Sequence, residues 1–168
     1  LVTDNAGAPV LTVANRFISP KLMINNGGIF TNNSANATAV TIAQFYVYAG
    51  GRYNHNAVGS SASGAVNDFP GSTSRTFGNT STVEVTKWAN GGAGIYLPPS
   101  VGLGWGHLII NVASLGASWN QQSLLTNIQG NFTILATGGG TNEFRLAGNT
   151  VNVTLAVGGN VSVSGGIL

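Results

Sequence analysis

Four carboxylates, Asp4, Asp68, Glu84 and Glu143, and two histidines, His55 and His107, are the side chains through which this sequence could move a proton or hold a metal ion. Polysaccharide-cleaving β-helices gather several carboxylates beside Arg or Lys on one face, to bind Ca²⁺ or to act as general acid and base. The spacing here argues for plainer roles. Asp68 precedes Phe69-Pro70-Gly71, where an Asp side chain accepts backbone hydrogen bonds and opens a turn. Glu143 and Arg145 stand two residues apart, on one face of a strand, which predicts a surface ion pair. Calcium-binding nonapeptide repeats carry Asp in each glycine-rich turn, and Asn90-Gly91-Gly92-Ala93-Gly94 has none. Neither a phosphate-cradling loop nor a G-x-S-x-G elbow occurs. The histidines are far apart in the chain; His107 opens a strand, and His55 takes a repeat position that Asn32 fills elsewhere, as a polar ladder residue. We therefore expect no catalytic centre, no metal and no cofactor.

The aromatic residues point to contact rather than turnover. If Phe45 and Val47 face inward, strand alternation turns Tyr46 and Tyr48 outward on one face, with rings ~7 Å apart. Such a pair can stack on a sugar ring or anchor a lateral contact between copies. Trp88, Trp105 and Trp119 lie at expected strand ends beside Gly or Asn, where they would close a core under long corners. Six N-x-S/T triplets begin at Asn32, Asn36, Asn79, Asn131, Asn152 and Asn160 and matter only if the source glycosylates them.

Composition limits the elements that could position these groups. Of 168 residues 25 are Gly, with six Lys or Arg and four Asp or Glu. Helix formers such as Lys, Glu, Gln and Arg are too scarce to cover an amphipathic helix, and β-branched residues take their place, so the expected class is all-β. A mean hydropathy of +0.22 and 17.0 kDa suit one domain with a continuous core. The pI near 9.3 reflects a net charge of only +2, from Arg16, Lys21, Arg52, Arg75, Lys87 and Arg145 scattered singly, so it does not predict nucleic-acid binding. No apolar run is long enough for a membrane helix, and membrane insertion is not expected. The absence of cysteine excludes disulfides and thiolate metal sites.

Self-similarity organises the chain. Residues 22–33 superpose on residues 45–56 at an offset of 23, so that Leu22, Ile24 and Phe30 match Phe45, Val47 and Tyr53. Alternation on both sides of a glycine pair is the period of a half-buried strand, interrupted at Gly27-Gly28 and Gly50-Gly51. These four are candidate corner glycines, at least one of each pair taking positive φ. Asn33 and Asn56 become equivalent and predict a ladder of stacked amides. A second match, at an offset of 29, aligns residues 128–134 with 157–163. The expected fold is a right-handed parallel β-solenoid, a β-helix with irregular coils of about 23 to 29 residues. Its expected core is Leu22, Ile24, Phe30, Phe45, Val47, Phe132, Ile134, Val153, Leu155, Val157, Val161 and Val163.

Three zones follow: dense strands over 9–56, long corners around two or three strands over 57–105, and strands again from Gly106. The chain opens at Leu1, and Val161-Ser162-Val163-Ser164-Gly165-Gly166 stops in mid-repeat, which predicts a fragment or processed part of a longer secreted chain. Solenoids need covered ends, and strand edges near Val10, Val13, Val161 and Val163 carry almost no charge. They are candidate assembly edges toward other copies or adjoining coils of a parent chain.

Stretches such as Gly27-Gly28-Ile29-Phe30-Thr31-Asn32-Asn33, Gly130-Asn131-Phe132-Thr133-Ile134 and Leu155-Ala156-Val157-Gly158-Gly159-Asn160-Val161 resemble the repeat units of large secreted β-solenoid proteins of Bacteroidota. The resemblance implies an extracellular or cell-surface structural protein, of the kind exported with a type IX sorting domain. The expected function is thus a structural or adhesive β-solenoid, stacking into a filament or forming an adhesin stalk. The alternative is a carbohydrate-binding module or polysaccharide-active β-helix contacting surface glycans through Tyr46 and Tyr48.

Overall fold

The computed structural model describes residues 2–3, 10–13, 17–33, 40–57, 69–70, 73–88, 96–98, 104–113, 115–148 and 152–168. These residues form fifteen strands and no helix, so none that could cross a membrane as a helix. In chain order they are β1 (Val2–Thr3), β2 (Val10–Val13), β3 (Phe17–Ile24), β4 (Ile29–Asn32), β5 (Val40–Val47), β6 (Arg52–His55), β7 (Ser74–Phe77) and β8 (Thr82–Val85). Then come β9 (His107–Asn111), β10 (Trp119–Asn120), β11 (Asn127–Ile128), β12 (Phe132–Ala136), β13 (Phe144–Arg145), β14 (Ala156–Val157) and β15 (Val161–Val163).

Every pairing among them is parallel. One sheet has seven strands in the order β15-β12-β9-β8-β6-β4-β2, a second has four in the order β1-β3-β5-β7, and β10-β13 and β11-β14 are short pairs. Along the large sheet a strand of another sheet intervenes in the chain between each pair of neighbours except β8 and β9, which follow one another directly among the described residues. Residues paired across β3 and β5 or across β4 and β6 are 23 apart, with Leu22 beside Phe45, Ile24 beside Val47 and Phe30 beside Tyr53, as the sequence offset predicts. The later offset appears equally as Ile128 beside Val157 and Phe132 beside Val161.

Tight turns carry the chain from the four-stranded to the seven-stranded sheet. Gly28 N–H donates to the Asn25 carbonyl at 2.9 Å and Gly51 N–H to the Tyr48 carbonyl at 2.9 Å. Gly27 and Gly50 hold the third position of each turn with φ of 75°. That value at the third position alone is the type II arrangement, which suits glycine because it has no Cβ to clash. The turns also stack, with Gly27 N–H on the Gly50 carbonyl at 3.0 Å and Gly50 N–H on the Thr80 carbonyl at 3.3 Å. Gly51 has no positive φ, yet a Cβ there would come 2.7 Å from the Ile24 carbonyl oxygen. Gly50→Val combines a strained φ with a collision against the Asn26 side chain, and is expected to cost roughly 1–3 kcal/mol in a urea melt. Gly139→Ala, where a Cβ meets nothing within 4 Å, should stay within about 0.5 kcal/mol.

Alternation builds the core. β4, β6 and β8 each turn every second residue inward, and the inward set is dominated by rings: Phe30, Phe45, Tyr53, Trp105, Trp119, Phe132 and Phe144 are fully buried. Leu22, Ile24, Val47 and Ile134 join them. The C-terminal part of the expected core differs. Val153, Leu155 and Val157 are half-buried, and Val161 and Val163 are 54% and 45% exposed. Their parity is inward, because Val161 pairs with Phe132 and Val163 with Ile134, but among the described residues no further strand lies over β15.

Candidate functional site

Among the described residues the titratable groups are dispersed. Glu84 is ion-paired with Arg52 and accepts Asn111 Nδ2 at 2.9 Å, while Arg52 Nε donates to Asn54 Oδ1 at 2.8 Å. Asn54 Nδ2 donates to Thr31 Oγ1 at 3.1 Å, so a polar row crosses the outward face of the large sheet from β4 to β9. Glu143 and Arg145 pair with each other and border an open depression of about 430 Å³ with Leu146, Ala147 and Leu168. His107 Nδ1 accepts the Asn131 N–H at 2.9 Å. Asp4 and Asp68 lie outside the described residues, as do Asn36 and Asn90 to Gly94. Among the described residues no three His, Asp or Glu side chains could jointly hold a metal ion.

His55 is beside Asn32 in the sheet, as the repeat predicts, but both are buried rather than part of a surface ladder. Tyr53 explains why this is tolerated: its hydroxyl lies 2.9 Å from His55 Nδ1 and accepts Asn32 Nδ2 at 3.5 Å. The imidazole centroid is 5.3 Å from Phe69 and 5.2 Å from Trp88. Burial in this apolar box pushes its pKa down to about 3, so the ring is neutral and serves packing. The amide ladder is one residue further on: Asn56 Nδ2 donates to Asn33 Oδ1 at 2.5 Å and Thr86 Oγ1 to Asn56 Oδ1 at 3.0 Å.

Arg75, one of the six singly scattered basic residues, is buried, which nothing in the sequence signalled. It pairs with Phe45, faces the core, and donates from Nε to the Pro70 carbonyl at 2.7 Å. Burial lowers its pKa to about 10. No apolar periodicity marks this position, and the aligned repeat has Phe there.

Tyr46 and Tyr48 do share one outward face. Their rings are 6.2 Å apart and 12° from parallel, and the Lys21 ammonium lies 5.0 Å from the Tyr46 centroid. Tyr48 is 40% exposed and Tyr46 half-buried. Aromatic faces beside one cation suit the C–H face of a sugar with a nearby hydroxyl or carboxylate.

The remaining candidates are the sheet's two edges. At β15, Phe132 N–H donates to the Asn160 carbonyl and Ser164 N–H to the Ile134 carbonyl, at 2.9 and 3.0 Å. By strand alternation Val161 and Val163 direct their own N–H and C=O groups to the open side. At β2, Asn33 N–H donates to the Val13 carbonyl at 2.7 Å, so Leu11 and Val13 bond toward β4 while Val10 and Thr12 direct theirs outward. The Val10 side chain is 62% exposed, whereas Val13 is buried. No charge lies in Val10-Leu11-Thr12-Val13 or Asn160-Val161-Ser162-Val163. No family model, curated protein or solved structure matches the chain.

Proposed function

We propose that the chain winds as a parallel β-solenoid and serves as an extracellular structural or adhesive element, extended end to end by copies of itself or by adjoining coils of a longer chain. The observation that carries this reading is the pair of uncharged parallel edges, β2 and β15, at opposite ends of one seven-stranded sheet. Soluble proteins blunt such edges with Lys, Pro or a covering element. An edge that fits the opposite edge of the next subunit makes a heterologous contact, which propagates without closing. Support for an extracellular setting comes from the low charge, the Asn- and Thr-rich rows and the likeness to secreted repeat units. A stack in which each strand bonds above and below resists shear and proteolysis, as a surface rod must.

Val161→Lys together with Val163→Lys tests the reading. Both side chains are exposed, so the β circular dichroism should persist while sedimentation shifts from polymer to monomer. Wild-type chain that stays monomeric at high concentration would contradict it.

Tyr46, Tyr48 and Lys21 favour a second reading, glycan contact from the outer face of the four-stranded sheet. It predicts retention on a glycan array that Tyr48→Ala reduces without altering sedimentation.

A further inference from the structure

Resting on the end-to-end reading, we propose that β15 of one copy receives β2 of the next in a single register, with Val161 against Leu11, Ser162 against Thr12 and Val163 against Val13. Direction, hydrogen-bond phase and side-chain parity admit it, and unstaggered continuation of the sheet's columns selects it among registers of that parity. The first is direction: every strand of the large sheet runs parallel, so a copy translated along the stacking direction brings its β2 to β15 as one more parallel strand.

The second is hydrogen-bond phase. Within the sheet, Phe132 donates its N–H to the residue before its partner Val161. Applied at the junction, the same rule has Val161 donate to the Val10 carbonyl and accept from Thr12, then Val163 donate to Thr12. Val10 and Thr12 are the residues of β2 whose N–H and C=O groups point away from β4. A shift by one residue would oppose groups that point apart.

The third is side-chain parity. Leu11 continues the inward column of Phe30, Tyr53, Val83, Leu108, Phe132 and Val161. Val13 likewise continues the column that ends in Ile134 and Val163. A one-residue slip would turn each apolar residue to the wrong face. Each open strand is also preceded by another sheet-terminal one, β1 before β2 and β14 before β15, so two strands per end meet the neighbour. The partner is a second copy because the edge that β15 requires, parallel, uncharged and of this phase, is the edge this chain displays at β2.

The chain has no cysteine, so introduced thiols report without background. Thr12→Cys and Ser162→Cys are both exposed, outward-facing substitutions. In the proposed register their Cα atoms lie ~4.8 Å apart, inside the ~4.4–6.8 Å range of disulfides. Equimolar mixtures of the two single variants are oxidised and compared with Val10→Cys plus Ser162→Cys and with Thr12→Cys plus Ser164→Cys, each displaced by two residues. The 12–162 dimer should exceed either displaced dimer about tenfold. A displaced pair that links better overturns the register and leaves the end-to-end reading standing. Chains that remain monomeric by sedimentation and link in no combination overturn both.

Discussion

Unfolding free energy is expected to fall by about 1.4 kcal/mol for each pH unit between roughly pH 6.5 and 3.5, and His55→Phe is expected to flatten that slope. Burial holds the His55 pKa at about 3, below the ordinary histidine value of 6.5. Between those values the unfolded chain binds a proton that the folded chain refuses. The stabilisation is therefore complete above pH 6.5 and is lost as pH falls toward the folded value. Three pH units amount to about 4 kcal/mol, a large share of the 5–15 kcal/mol typical of a domain. The interval from pH 6.5 to 4.5 is diagnostic, because it lies above the ordinary carboxylate range. Phe matches the surrounding Phe69 and Trp88, although it removes the 2.9 Å contact between the imidazole and the Tyr53 hydroxyl. Urea melts at several pH values read slope rather than absolute stability; equal slopes in both proteins would refute the buried-histidine account.

Trp119→Ala is expected to cost about 3–5 kcal/mol and to lower the melting temperature by about 10 °C or more. The side chain is fully buried, with its centroid 4.5 Å from Trp88 in a stacked pair and 5.2 Å from Phe144 edge-on. Its backbone N–H donates to the Glu143 carbonyl at 2.7 Å, in the short pairing of β10 with β13. Removing the indole empties the volume between these rings and leaves that two-residue pairing poorly supported. Tyr48→Ala, which loses only a partly exposed ring stacked on Tyr46, should cost far less, about 1 kcal/mol. A Trp119→Ala protein melting with wild type would show that the ring stack does not hold the domain together.

Register was legible wherever a glycine pair punctuated alternating apolar residues, because the side-chain period of a strand fixes which residues can share a column. That is why Leu22 with Phe45 and Ile128 with Val157 could be aligned from sequence. β7 was hidden by Arg75, a cation at the position where the preceding strand has Phe45. The two-residue strands β10, β11, β13 and β14 are too short to display any period. β3 begins earlier than alternation suggested, since Pro20, lacking an N–H, interrupts the pattern midway. Parity indicates which way Val161 points but not whether a neighbour covers it, and so its exposure had to come from the structure. The aromatic pair was legible as a shared face, whereas the Lys21 contact depends on cross-strand packing that no local spacing encodes.

Electron microscopy of concentrated wild-type chain tests the central claim most directly. Seven strand spacings of about 4.8 Å per subunit predict unbranched filaments with an axial rise of ~34 Å and strands perpendicular to the axis. Dispersed single particles at every concentration, or filaments whose strands run along the axis, would contradict it.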